Sequence, residues 1–407
     1  MTKPLDGVRV LDLSRILAGP FAAQTLADLG ASVIKVERPG SGDDTRRWGP
    51  PFYTTEDGSG YSDAAYFLST NRGKKSVTID FTKPDGASLV LELARGVDIV
   101  IENFKTGGLK KYGLDYAGVR EVKPDIIYCS ITGFGYTGPY SERVGYDFMI
   151  QGMSGLMSIT GEPDSAPGGA PMKVGVAVSD LFAGLYSTVG ILAALRHRDQ
   201  TGEGQHIDMA LLDSQVGVLA NQALNFLSTG DAPRRLGNAH PNIVPYQVFA
   251  TADGHVILAV GNDSQFRKFC ETAGCAYLAD DERFATNAVR VRHRDALVEL
   301  LQPILAERGV DAWIGQLQEA GVPCGPINDI EQVFDDEQVK ARALEVRINH
   351  PKFGEVPSVA CPIRYSATPL THTVPPPMLG EHVDEVLGDT LGLSEERLRQ
   401  LKADGVI

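Results

Sequence analysis

The strongest constraint on the fold is the alternation of short β-rich runs and helical stretches along residues 1–135. Residues 8–13 (VRVLDL) read as a buried strand. Residues 20–29 follow as a helix with Phe21, Thr25, Leu26 and Leu29 on one face, and residues 32–37 (SVIKVE) as the next strand. The pattern recurs with strands at 76–80, 98–102 and 125–131 and a helix at 84–95, where Pro84 suits the first turn. Strands joined through helices imply a parallel sheet covered on both faces, an α/β fold.

Beyond this region the character changes. Residues 152–175 are rich in glycine and proline and read as a loop near a ligand or another backbone. Helical stretches at 180–199 and 206–228 are separated by Gly202 and Gly204. From Gly237 a hairpin (246–251 and 255–260, turning at Asp253-Gly254) and helices at 263–273, 290–308 and 310–320 form a smaller α+β domain. The chain past Val322 is irregular and Pro-rich until a helix at 394–403. The expected organisation is a large domain at 1–205, a linker helix at 206–236, the small domain at 237–328, a linker at 329–350, and residues 351–407 returning to the large domain.

A net charge of −14 argues against nonspecific nucleic-acid binding. It leaves room for an anionic small ligand, because Lys35, Arg38, Arg46, Arg47, Arg72, Lys74 and Lys75 form a local basic run. No run approaches the roughly 18 to 20 apolar residues of a membrane span, and residues 1–13 lack the apolar core of a secretory signal. The scattered cysteines (Cys129, Cys270, Cys275, Cys324, Cys361) read as free thiols of a reduced, cytoplasmic protein.

The turn after the first strand, 14–21 (SRILAGPF), lacks the glycine fingerprint of a dinucleotide site. No phosphate-binding Gly-rich loop with lysine, G-x-S-x-G elbow or H-E-x-x-H helix occurs, and His240 and His255 stand alone. What remains is Asp180, approached through a glycine-rich segment at a helix start (VGVAVSDLFAG, 174–184). Read locally, Asp180 or Ser179 caps that helix. Read chemically, Val178, Leu181 and Phe182 desolvate the carboxylate, and Gly184 leaves room one turn on for a substrate.

Taken in order, LDGVRVLD (5–12), AGP (18–20), LGA (29–31) with VIKVERP (33–39), ENF (102–104), SITGFG (130–135), the Asp180 segment, TGEGQ (201–205), GVPCGPIN (321–328) and LGEH (379–382) resemble the class III CoA transferases. The resemblance spans essentially the whole chain. It implies a Rossmann-like large domain, an interlocked homodimer, and coenzyme A thioester as substrate with no permanently bound cofactor or metal. It also implies that Asp180 is the nucleophile, passing through aspartyl anhydride and aspartyl-CoA thioester intermediates.

The same resemblance places Arg38, the segment Ile79, Asp80, Phe81 and Thr82, the pair Asn103 and Phe104, and Lys111 and Arg143 on the coenzyme A path. Leu17 stands where formyl-CoA transferase has glutamine, which separates this chain from oxalate and formyl chemistry. DDTR (43–46), WGPP (48–51), IYCSITG (127–133), SGLM (154–157) and IVPYQ (243–247) resemble the succinyl-CoA:glutarate branch. A dicarboxylate acceptor needs a cationic anchor for its distal carboxylate; Arg15 is the candidate, with Arg46 and His240 behind it. The alternatives are an α-methylacyl-CoA racemase, which needs a histidine where Gly145-Tyr146-Asp147 stands, and a non-catalytic CoA-binding protein.

Overall fold

The protein is described from a computed structural model covering residues 3–55 and 60–407. It divides into two compact units, Met1–Ser154 with Gly175–Val218 and Glu337–Ile407, and Gly155–Val174 with Leu219–Asp336. These limits differ from the expected ones. Residues 155–174 belong to the second unit, and residues 206–218 and 337–350 to the first.

The first unit is built on a six-stranded sheet: β1 (Arg9–Asp12), β2 (Ser32–Glu37), β3 (Lys74–Thr78), β4 (Ile99–Glu102), β5 (Ile127–Thr132) and β6 (His206–Ala210). Its order is β3-β2-β1-β4-β5-β6, with every pairing parallel. The α/β expectation is borne out, and the strand order reverses between β1 and β4. In such sheets ligands bind beyond the carboxyl ends of the strands at that reversal.

Alternation along the strands feeds a core on each face. Val10, Val33, Ile99 and Ile127 meet α1 (Ala18–Asp28) and α2 (Val178–Thr201) through Ala22, Ala23, Leu26, Ala183 and Ala194. Leu11, Val36, Val77 and Val100 pack on the other side with Leu89, Val90 and Leu93 of the helix Pro84–Arg95. Val383, Val386, Leu398, Leu401 and Val406 complete that second core from the end of the chain.

The strand at His206–Ala210 corrects the expected helix there. Gly204 lets the chain turn directly against residues 125 and 126, where an added Cβ would lie 2.2 Å from the Ile126 carbonyl oxygen. His206 then pairs with Tyr128 in register, and its Nε2 lies 2.9 Å from Ser130 Oγ. A second element absent from the sequence reading is the hairpin of Glu345–His350 with Gly354–Val359.

α2 is also long and apolar enough, by length and composition, to cross a membrane. That corrects the expectation that no run approaches such a length. Here Ala183, Ile191, Ala194 and Leu195 are buried against the sheet and α1.

The second unit has its own core around the antiparallel hairpin Tyr246–Ala250 and His255–Ala259, extended by Cys324–Gly325. Phe249, Phe266, Phe269 and Trp313 are fully buried in it.

Candidate active site

The turn after β1 and the turn after β4 meet at the point where the strand order reverses. Asn103, just past β4, accepts from the Arg15 N–H (2.9 Å) and donates through Nδ2 to the Arg15 carbonyl (2.6 Å). Its amide is therefore committed to backbone. Phe104 N–H donates to Glu102 Oε2 at 2.8 Å, so the neighbouring residue is fixed as well. Burial pushes the Glu102 carboxyl up, against donors from Ser130, Phe104 and Tyr136.

α2 brings Asp180 to this junction. Neither Ser179 nor Asp180 caps the helix: the N-cap position is Ala177, without a side-chain bond. Capping comes from elsewhere, because Ser179 N–H donates to Asp147 Oδ1 (2.8 Å) and Ser179 Oγ donates to Gln215 Oε1 (2.8 Å). This overturns the local reading of Asp180 as a helix cap. Its half-buried carboxyl takes no hydrogen bond and no ion pair from the described residues. Burial, and then the Asp147 carboxylate, push Asp180 up to about 7. An unpaired, desolvated carboxyl beside a second carboxyl is the arrangement that raises a pKa most directly.

Gly184 does serve close approach, but of protein rather than substrate. A Cβ there would lie 2.7 Å from the Ala18 carbonyl oxygen and 3.2 Å from Phe21 Cδ1. The missing side chain lets α2 sit on the start of α1.

Asp180 opens on a cavity of about 230 Å³ lined also by Arg15, Leu17, Asn103, Phe104, Arg143 and Tyr146. A second cavity of about 470 Å³ shares Arg15 and Phe104 and is lined by Arg38, Arg47, Ile79, Asp80, Phe81, Thr82, Lys111 and Tyr112. Phe81 meets Phe104 edge-on at 5.6 Å and Tyr112 at 5.7 Å. Lys111 Nζ stands 4.7 Å above the Tyr112 ring. Asp80 is held below the usual carboxylate range chiefly by the Thr82 hydroxyl (2.6 Å).

The structure thus gathers most of the expected residues into two adjoining cavities at the carboxyl ends of the strands. Arg143 lines the Asp180 cavity rather than the larger one. Its guanidinium rests on Tyr140 (4.5 Å) and Phe134 (5.4 Å), with no acidic partner among the described residues. Arg15 pairs with Asp44 at 3.1 Å, both half exposed, and not with a backbone carbonyl.

One candidate falls away from this group. Arg46 is buried between Glu37 and Asp63, each at 2.7 Å, and cannot reach a substrate. His240 belongs to the second unit, where its Nδ1 accepts from Asn242 N–H. The basic run is also corrected: Lys35, Arg72 and Lys74 are interior ion pairs with Asp43, Asp28 and Asp12, while Arg38 and Arg47 are exposed and Lys75, paired with Glu385, is partly exposed.

One residue went unread in sequence. Tyr66 is pushed up by burial and then by the nearby Asp180, Asp147 and Asp43 carboxylates, which puts its phenol within their field. A tyrosine at the foot of a short helix carries no local signal of this.

Comparison with known proteins gives one consistent result. The CoA-transferase family III model matches residues 5–383. The chain is 54% identical to a succinate–glutarate CoA-transferase of Agrobacterium fabrum, over 95% of each sequence. It is 45% identical to the succinyl-CoA:glutarate CoA-transferase of Mus musculus, over 100% of this chain and 90% of that one. A crystal structure of a CAIB/BAIF family protein from Brucella suis, 52% identical, superposes with a TM-score of 0.83 over 96% of this chain and 100% of its own. With a parallel α/β sheet, an uncapped carboxyl at its reversal point and these relatives, the chain belongs to CoA-transferase family III and is a CoA transferase.

Proposed function

We propose that the enzyme moves coenzyme A from a succinyl-CoA-type donor to a dicarboxylate acceptor such as glutarate, with Asp180 as nucleophile. Coenzyme A enters as a substrate. Arg38 and Lys111 take its phosphate-bearing end in the larger cavity, beside the Phe81–Phe104–Tyr112 aromatic group. The thioester reaches Asp180 past Arg15 and Phe104, the residues both cavities share. Arg143 then serves the acyl end.

The observation that carries the mechanism is the unpaired, desolvated Asp180 carboxyl. A carboxylate oxygen attacks the donor thioester carbonyl, the C–S bond breaks, and CoA thiolate leaves with the electron pair. The thiolate attacks the aspartyl carbonyl of the resulting anhydride and expels the donor as its free carboxylate. The acceptor carboxylate attacks the Asp180–CoA thioester and expels thiolate, which attacks the acyl carbonyl of the second anhydride. The new acyl-CoA leaves and Asp180 is regenerated. No net proton moves, so no general base need pair with Asp180, and each step keeps an activated acyl group.

Arg15 is the proposed anchor for the distal carboxylate. Its pair with Asp44 is solvent-exposed and therefore weak, so a substrate carboxylate can replace it. The exposed apolar side chains Leu185, Tyr186 and Val189 on α2 support a homodimer. The free thiols of Cys129, Cys270, Cys275, Cys324 and Cys361 fit a reducing, cytoplasmic setting.

The test is a panel of acyl-CoA donors against mono- and dicarboxylic acids, with products read by mass spectrometry. Transfer to dicarboxylates is expected, and Arg15→Gln should raise KM for them about tenfold with kcat less affected. Transfer to monocarboxylates alone would remove the anchoring role from Arg15.

A further inference from the structure

The turn after β1 is held by side chains at almost every backbone polar group. Asp12 Oδ1 accepts from Ser14 N–H (2.9 Å), and Lys35 Nζ donates to the Ser14 carbonyl (2.7 Å). Asn103 engages both polar groups of Arg15. Asp43 accepts from Ile16 N–H, with each carboxylate oxygen at 3.2 Å.

Asp43 is itself anchored. It is 4% exposed, pairs with fully buried Lys35 at 3.0 Å, accepts from Thr45 Oγ1 at 2.8 Å, and donates its own N–H to Glu37 Oε2 at 2.9 Å. Burial alone would raise its carboxyl, but the Lys35 ammonium and the Thr45 donors outweigh burial and hold it below the usual range.

What Asp43 holds is strained. Ile16 has φ of 73°, a left-handed conformation that a β-branched residue avoids. Such a conformation persists only where the surroundings over-determine it. The next residues, Leu17 and Ala18, line the Asp180 cavity, and Ala18 is the residue on which α2 rests at Gly184. A shift at Ile16 therefore moves the wall facing Asp180.

We propose that Asp43 is a positioning residue for CoA transfer: it locks Ile16 in its left-handed conformation and so fixes the 15–18 wall against which Asp180 reacts. This rests on the reading of Asp180 as nucleophile. Asp43 acts through Ile16 and takes no part in bond making.

The test uses the full-length enzyme with Asp43→Asn and Asp43→Glu, each alone and combined with Ile16→Gly. Asp43→Glu keeps a charge opposite Lys35 while displacing the carboxylate from Ile16 N–H, so it guards against a failure of Asp43→Asn to fold. Glycine adopts positive φ without strain, so Ile16→Gly removes the need for the lock. In folded protein, kcat should fall roughly tenfold to a hundredfold, as for a small misplacement of reacting groups. KM for succinyl-CoA should stay within about twofold. Ile16→Gly should recover most of the lost kcat when each double variant is compared with Ile16→Gly alone. A role in stability only would lower Tm and leave kcat per folded molecule unchanged.

The proposal is overturned if kcat stays within about twofold of wild type in the folded Asp43 variants, or if Ile16→Gly recovers nothing. Asp180→Ala, run alongside, separates the two readings. If it keeps exchange activity, the nucleophile assignment fails; if it is inactive while the Asp43 variants keep kcat, only the positioning role fails.

Discussion

Asp43 and Asp180 are carboxylates of one unit, near the same strand ends, with opposite surroundings. Asp43 is surrounded by donors: Lys35, Thr45 and the Ile16 N–H. Its carboxyl is held below the ordinary range. Asp180 has no donor among the described residues, a second carboxylate for a neighbour, and a carboxyl pushed up to about 7 by burial and Asp147. Burial raises both. Pairing decides the rest, and it separates a carboxylate that builds the site from one left free to react.

The largest way to break this contrast is at the free carboxylate. Asp180→Asn should reduce CoA exchange by at least about a thousandfold, as removal of a nucleophile does, while the protein remains folded. Steady-state exchange assays and near-UV circular dichroism check both halves.

The paired region should respond in stability instead. Lys74 is fully buried, donates to Asp12 at 2.9 Å, and also meets the Pro20 carbonyl and Asn71. Lys74→Met would strand the buried Asp12 carboxylate, a loss of about 3–5 kcal/mol measured by chemical denaturation.

pH sharpens the contrast with opposite signs. Asp12, Glu37 and Asp43 have folded values below their ordinary ones, so they stabilise the fold above the ordinary carboxylate range and lose that contribution as pH falls through their folded values. Asp180 runs the other way. Its folded value of about 7 lies above 3.8, so the folded state keeps a proton the unfolded chain has released, and stability is lost as pH rises between them. Asp180→Asn should therefore be more stable than wild type at pH 8, by about 1–3 kcal/mol after allowing for its half-burial, and equal to it near pH 4. Because the reacting species is the carboxylate, wild-type kcat/KM, which reports the free enzyme, should climb with pH and level off above about 7.

The smallest effect is expected where the two regions touch. Gly184→Ala would put a methyl 2.7 Å from the Ala18 carbonyl oxygen. Overpacking of this kind costs about 1–3 kcal/mol. The same strain should lower kcat severalfold by pushing α2 off α1, a change that thermal melts and kinetics on one preparation would resolve.

Local pattern carried much of this into view. The alternation in VRVLDL and SVIKVE reads as buried strands because each face of the sheet has its own core, and both segments are strands of that sheet. Asp180 was legible as a candidate through its apolar neighbours, but the source of its freedom was not. Ser179 is bonded by Asp147 and Gln215, residues 32 and 36 positions away, so no spacing rule predicts that Asp180 stays uncapped. The lysines and arginines show the same limit more sharply. Lys35, Arg46, Arg72 and Lys74 look like a basic surface because charge is visible in sequence and its partners are not. Asp12 and Lys74 meet across 62 positions. The strand at His206–Ala210 was missed for a related reason: an edge strand is defined by the neighbour it pairs with, here Ile127–Thr132.

The central claim is that Asp180 becomes covalently activated during transfer. The most direct measurement is to incubate the enzyme with succinyl-CoA, trap with hydroxylamine, digest, and sequence the peptides by mass spectrometry. A hydroxamate on Asp180, and none on Asp43 or Asp147, is the predicted result. Full exchange activity with Asp180 unmodified, or trapping at a different carboxylate, would contradict it.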